Sequence, residues 1–198
     1  MEIYLATQNK HKIEELSALL QGRFSIKSVF DLGLEEEIPE TGKTISENSL
    51  QKAQFIASKY GVTCLSDDSG LEVEALGGAP GVYSARFAGP EKNDKANIQL
   101  LLNKLATNKN KNARFVTVLT FHNRGQFIQF EGEIQGKIIE EERGNSGFGY
   151  DPVFVPEGFN QTFAEMSMQE KNLIAHRAKA LDKFLKFIDE QTNFSNFE

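Results

Sequence analysis

Apolar residues recur along this chain in two rhythms, and the change from one to the other marks the elements. Glu2 to Ala6 (EIYLA) reads as a first strand, and Thr7-Gln8-Asn9 breaks it. Ile13, Leu16, Leu19 and Leu20 then fall at helical spacing, which predicts an amphipathic helix from Lys10 to about Gln21. Phe24 to Val29 reads as a second strand, and Glu35 to Gly42 as an acidic loop. Ser46 is suited to cap a helix running to about Tyr60, with Gly61 ending it. Val62 to Leu65 predicts a short buried strand, followed by a long run of glycine and small residues from Ser66 to Gly89. A helix is expected around Asn93 to Ala106. Ala113 to Phe121 and Gln126 to Ile138 predict two long strands, with a hairpin signal at Asn123-Arg124-Gly125. Gly144 to Pro156 is a second glycine-rich loop, leading into Val153-Phe154-Val155. Ile174, Ala178, Leu181, Leu185 and Ile188 predict one closing helix, with a frayed tail from Thr192 to Glu198. The mixed order implies an α/β domain with a long mixed sheet and helices packed on it.

Composition changes this picture little. The 198 residues suit one domain with a sizeable core, and 39% hydrophobic with 25% charged residues is ordinary for a soluble globular protein. No apolar run approaches the roughly 18 residues of a membrane span, and the N-terminus does not read as a signal peptide. The single cysteine, Cys64, excludes an intramolecular disulfide and fits a reducing cytoplasm. A net charge of -6 argues against a general nucleic-acid binder. It leaves room for a small phosphorylated ligand, because a few lysines and a divalent cation can reverse the field locally.

Five places could carry chemistry. Thr7-x-Asn9-x-x-Lys12 stands at a strand-to-helix junction, where free N–H groups and the helix dipole favour an anion. Lys10 and Lys12 add charge there, although Asn9 as a plain helix cap explains the pattern equally well. Asp67-Asp68-Ser69-Gly70, placed after a buried strand, brings two carboxylates that repel unless a cation or proton intervenes. Such oxygen donors suit Mg2+, but an Asp-rich turn is the plainer alternative. Glu40 and Lys52 are by themselves a solvated acid and a helix lysine. Ser146-Gly147-Phe148-Gly149-Tyr150-Asp151-Pro152 sets two aromatic rings among glycines, either as a stacking face for a base or as core plugs. Lys171 and His176-Arg177 stand near the last helix start, where Arg177 has a planar fork of donors.

Taken in order, these motifs resemble the inosine triphosphate (dITP/XTP) pyrophosphatases from Ile3 to about Leu185. The matching text is Leu5-Ala6-Thr7-x-Asn9-x-x-Lys12, Glu40-Thr41-Gly42, Glu47-Asn48, Ser66 to Leu71, the run Gly77 to Arg86 (GGAPGVYSAR), Gly147 to Pro152, and Glu170-Lys171 with His176-Arg177. The resemblance implies an elongated two-lobed α/β fold, a cleft between the lobes and a homodimer. It implies Mg2+-dependent hydrolysis between the α- and β-phosphates of non-standard purine nucleoside triphosphates. By matching position it makes Asp68 the catalytic acidic residue, and Glu40 with Asp68 the metal ligands. It puts Thr7, Gln8, Asn9, Lys10, His11, Lys12, Lys52, Ser69 and Lys171 at the triphosphate. Phe148, Gly149, Tyr150, Asp151, His176 and Arg177 fall at the base. Pro39 stands where many relatives have a further acid, so the metal role falls on Glu40. Gln8 and His11 replace glycines of several relatives.

The implied chemistry is coherent. Cations would neutralise the leaving pyrophosphate, and Asp68 would orient or deprotonate the attacking water. Two rival readings stand beside it: a pyrophosphatase for modified pyrimidine or methylated nucleotides, and a nucleotide-binding sensor without catalysis. A substrate panel and a turnover measurement separate them.

Overall fold

The computed structural model describes residues 1–195. A six-stranded mixed sheet runs through the chain in the order β2-β1-β3-β4-β5-β6. Its strands are β1 (Glu2–Ala6), β2 (Ser25–Ser28), β3 (Cys64–Val73), β4 (Asn112–Asn123), β5 (Gln126–Ile138) and β6 (Phe154–Pro156). β1 lies parallel to both β2 and β3, whereas β6 is antiparallel to β5. The helices are α1 (Lys10–Leu20), α2 (Ile45–Tyr60), α3 (Asp94–Leu105), α4 (Met168–Ile174) and α5 (His176–Ser195). No helix among the described residues is long and apolar enough to cross a membrane.

The chain divides into two compact units. The first comprises Met1–Asp68, Thr117–Gly132 and the segment from Arg177 onward; the second comprises Ser69–Val116 and Glu133–His176. In the first unit β1 and the start of β3 carry apolar side chains on both faces, and both faces are covered. Successive side chains of a strand point to opposite faces. Ile3, Leu5 and Leu65 therefore pack with Leu16 and Leu20 of α1 and with Leu181 and Phe184 of α5. Their neighbours in sequence, Ala6 and Cys64, pack instead with Ala53 and Ile56 of α2. Each fully buried leucine contributes about 1.5–3 kcal/mol, so either layer is lost if its helix is not seated. In the second unit Ile98, Leu101 and Leu105 form the buried stripe of α3 and join a cluster with Leu71, Phe115, Phe154 and Phe163.

The α/β class and mixed sheet agree with the sequence expectation, and β5 runs over the expected residues. The tight hairpin is also as expected, with Arg124 and Gly125 both at positive φ. Four local expectations need correction. β3 does not stop at Leu65 but continues to Val73, so Asp67 and Asp68 lie within a strand rather than in a turn after it. Thr44, not Ser46, caps α2: its hydroxyl accepts from the Glu47 N–H, while Ser46 donates to Gln129. The closing helix is two helices, because Ala175 is extended and Ser167 with Glu170 forms a capping box that starts the short α4. The tail expected from Thr192 begins in α5, which carries on to Ser195; residues 196–198 lie outside the described residues.

Candidate active site

The alternation of β3 separates the two aspartates. Asp68 shares a face with Cys64 and Ser66 and looks toward α2, whereas Asp67 shares a face with Leu65 and looks toward α1 and α5. Adjacent carboxylates therefore do not face one another, and they pair with different cations.

On the α2 side a polar seam sets the register. The Ser66 hydroxyl donates to the Ser49 carbonyl (2.7 Å), and Ser49 Oγ lies 2.7 Å from Thr120 Oγ1. Lys52 follows Ser49 on the same helix face, and Asp68 follows Ser66 on the same strand face. Lys52 Nζ consequently donates to Asp68 Oδ1 (2.8 Å) and to Glu40 Oε1 (2.6 Å). Lys52 is only 2% exposed. Burial disfavours its charge, but the Asp68 and Glu40 carboxylates more than offset this and hold its pKa above the ordinary lysine value. Glu40 is placed by its loop. The N–H groups of Thr41, Gly42 and Lys43 donate in turn to Gln51, Asn48 and Glu47 of α2, at 2.8, 2.7 and 2.6 Å. Gly42 has no room for a side chain, since a Cβ would stand 2.7 Å from the Glu47 Cβ. The Glu40-Thr41-Gly42 and Glu47-Asn48 motifs are therefore two halves of one loop-to-helix clasp.

On the other face Asp67 is fully buried between two cations. Its Oδ1 accepts from Lys12 Nζ and its Oδ2 from Arg177 Nε, both at 2.6 Å. Arg177 also donates through Nη1 to Glu15, which sits one helical turn after Lys12. Burial raises the Asp67 pKa, yet the Arg177 and Lys12 charges outweigh it and hold the carboxyl far below the usual carboxylate range. Burial likewise works against the Arg177 charge, and Asp67 and Glu15 reverse that effect. Asp67 thus ties β3 to α1 and α5. This places the guanidinium of Arg177, expected at the base, against Asp67 and Glu15. Glu15 was not singled out from sequence; its position one turn beyond Lys12 was the available signal.

The α1 terminus is capped as its sequence allows. Asn9 Oδ1 accepts from the N–H groups of His11 (3.0 Å) and Lys12 (3.3 Å), and Thr7 Oγ1 accepts from the Asn9 N–H. Gln8 is turned toward the acidic loop: its Nε2 donates to the Glu36 carbonyl and its Oε1 accepts from the Ile38 N–H. Lys10 and His11 are exposed.

The second unit holds the remaining candidates, with Ser69 half-buried on β3. Lys171 Nζ donates to Asp151 Oδ2 (2.7 Å) and lies 5.1 Å from the ring centre of Phe148. Asp151 Oδ2 also accepts from the Phe148 N–H (3.0 Å). Gly147, at φ +77°, leaves the space that this carboxylate occupies. Phe148 is half-buried, and the Gly149 N–H donates to Asp94. Tyr150 is a core residue: it is 3% exposed, and its hydroxyl donates to the Ser84 carbonyl. His176 is buried and stacks on Phe115, with ring centres 4.8 Å apart. Among the described residues no group of three or more His, Cys, Asp or Glu side chains is arranged to hold a metal. Glu40 and Asp68 both accept from the one ammonium of Lys52.

The fold and the lysine-bridged carboxylates of the first unit define an α/β protein with a buried acid–lysine–acid cluster. The comparisons give the family. The Ham1 family model matches residues 3–187, and the chain belongs to the Ham1 family. It is 47% identical over 193 residues to the dITP/XTP pyrophosphatase of Bacillus licheniformis, covering 96% of this chain and 98% of that one. It is 44% identical over 190 residues to the dITP/XTP pyrophosphatase of Christiangramia forsetii, covering 96% and 100%. The Ham1 protein of Staphylococcus aureus superposes with a TM-score of 0.88 at 36% identity, covering 96% of this chain and all of that one.

Proposed function

We propose that this protein hydrolyses non-standard purine nucleoside triphosphates, namely ITP, dITP and XTP, to the monophosphate and pyrophosphate. Nearly full-length identity to dITP/XTP pyrophosphatases supports the activity. The observation that carries the chemistry is the buried Lys52 bridging Glu40 and Asp68. Asp68 accepts the proton of a water whose oxygen attacks the α-phosphorus. The bond from that phosphorus to the bridging oxygen breaks, and pyrophosphate leaves with the electron pair. Lys52, held charged, aims the Asp68 carboxylate through its hydrogen bond. Lys10, exposed at the α1 terminus, offers an ammonium to the phosphates. Glu40 and Asp68 would hold Mg2+, and the ion when bound would neutralise charge building on the leaving group. The exposed part of the Phe148 ring offers the base a stacking face.

Discrimination follows from C6 of the purine. Hypoxanthine and xanthine carry an acceptor oxygen there, whereas adenine carries a donor amine. Donors aimed at C6 would be left unpaired by adenine, a mismatch that a hydrogen-bonding site can turn into roughly 10⁴ in selectivity. We further infer a cytoplasmic homodimer, on the family resemblance; light scattering of the purified protein reads the dimer directly.

Pyrophosphate release across a panel of nucleoside triphosphates, with and without Mg2+, tests the whole reading. Fast release from ITP and XTP, little from ATP or GTP, and dependence on Mg2+ are expected. Preference for a modified pyrimidine, or binding without turnover, would overturn it.

A further inference from the structure

The longest motif, Gly77 to Arg86, has no role in the chemistry above, and α3 lies outside every motif. The second unit joins both to the Phe148–Asp151 loop through a closed ring of hydrogen bonds. The Tyr150 hydroxyl donates to the Ser84 carbonyl at 2.9 Å. The other end of the Gly77–Arg86 run is held by Asn97 of α3, which is 2% exposed. Asn97 Nδ2 donates to the Ala85 carbonyl (3.0 Å), and Asn97 Oδ1 accepts from the Ala88 N–H (2.7 Å). One turn earlier on α3, Asp94 Oδ2 accepts from the Gly149 N–H at 2.8 Å and completes the ring. Each pair of the three segments is thus linked directly.

We propose that Asp94 is a positioning residue for base recognition: it fixes Gly149 and so sets the orientation of the neighbouring Phe148 ring, without touching substrate itself. This rests on the reading of Phe148 as the stacking face for the base. The geometry favours it over a purely structural contact. Gly149 is at φ +60° and is the loop's hinge between the half-buried Phe148 and the core residue Tyr150. The adjacent N–H of Phe148 is held from the other side by Asp151. With both N–H groups taken by carboxylates, the loop backbone is restrained on either side of the ring. Loss of the Asp94 carboxylate releases one of the two restraints. A charge-assisted hydrogen bond of this kind corresponds to about a five- to tenfold effect on an equilibrium it controls.

The experiment compares Asp94→Ala, Asp94→Asn and Phe148→Ala with the unmodified protein. It reads kcat and KM for ITP, and inhibition by inorganic triphosphate, which has the phosphates and no base. Expected for Asp94→Ala are a KM for ITP raised about five- to tenfold, kcat within about twofold, and an unchanged inhibition constant for inorganic triphosphate. Asp94→Asn keeps an acceptor oxygen and should restore most of the KM. An unchanged KM in Asp94→Ala beside a raised KM in Phe148→Ala overturns the role of Asp94 and leaves the base reading standing. An unchanged KM in both overturns the base reading of the loop, and the proposal with it. Parallel loss of ITP and inorganic triphosphate binding marks a general structural defect and also overturns the proposal.

Discussion

Replacing Asp67 by Asn should damage stability, and the damage should shrink as the pH falls below about 4. Asp67 is fully buried, and its two oxygens accept from Lys12 and Arg177. Asparagine keeps the shape but removes the charge, so two buried cations lose the carboxylate they share, while Arg177 keeps its pairing with Glu15. Breaking one partner out of a buried ion pair costs about 3–5 kcal/mol, a large share of a typical domain's stability. The linkage sign follows from the direction of the shift. The carboxyl is held well below 3.8, its ordinary value, so the unfolded chain takes up a proton on acidification before the folded one does. The Asp67 contribution is therefore complete above pH 3.8. It declines below that by about 1.4 kcal/mol per pH unit, and it is lost as the pH passes the depressed folded value. Urea unfolding of both proteins from pH 7 to pH 2.5 measures this. The gap between them should be several kcal/mol at pH 7 and should narrow steadily below about pH 4. A gap under about 1 kcal/mol at pH 7, or a gap that stays constant on acidification, would refute the assignment of Asp67 as the hub of this network.

Other perturbations separate the groups around it. Asp68→Asn should lower kcat for ITP by about 10²–10⁴ while nucleotide binding persists, checked by pyrophosphate release and calorimetric titration; near-normal turnover would remove Asp68 from the mechanism. Lys52→Met leaves Glu40 and Asp68 without the ammonium they share, and should lower kcat by at least about tenfold in a pyrophosphate-release assay. Glu40→Gln should raise the Mg2+ concentration needed for half-maximal activity, read from a metal titration of the rate. Gly147→Ala sets a methyl group against the Asp151 carboxylate at a positive φ; about 1–3 kcal/mol of destabilisation and a raised KM for ITP are expected from thermal melts and kinetics.

How far the sequence could be read depended on whether a signal was local. The hairpin was legible because Gly125 readily takes the positive φ that a tight turn needs, and α2 ended where Gly61 enters the left-handed region. The helical stripe of α1 was legible because Leu16 and Leu20 fall one turn apart. The end of β3 was not, because Asp67, Asp68 and Gly70 are poor strand formers in isolation. They are tolerated in a central strand only through partners far away in sequence: Lys12, Lys52 and Arg177 for the acids, and the close approach of the Gly81 carbonyl for the glycine. Tertiary contacts overrode local preference there, and a single sequence does not display them. Capping was misplaced for a related reason. Thr44 and Ser46 are equally good caps by type, and Ser46 is diverted by Gln129 of the distant β5.

The same override determines what the aspartate doublet means. As neighbours in a turn, two carboxylates would compete for one cation, and that geometry is what made a shared metal attractive from sequence. Within a strand they project to opposite faces, so their environments are independent even though their α-carbons are adjacent. Asp67 meets two cations in a dry layer between α1 and α5, where a charge is tolerable only if paired. Asp68 meets one lysine that it shares with the partly exposed Glu40. A residue whose oxygens are both occupied by buried permanent partners is poorly placed to exchange them for a metal or a water during turnover. One whose partner is shared, and whose neighbour is open to solvent, is better placed to do so. The strand extension thus converts an undifferentiated acidic pair into a structural member and a reactive one. It also requires the Asn variants to differ in kind: Asp67→Asn in the free energy of unfolding, Asp68→Asn in the rate of bond cleavage.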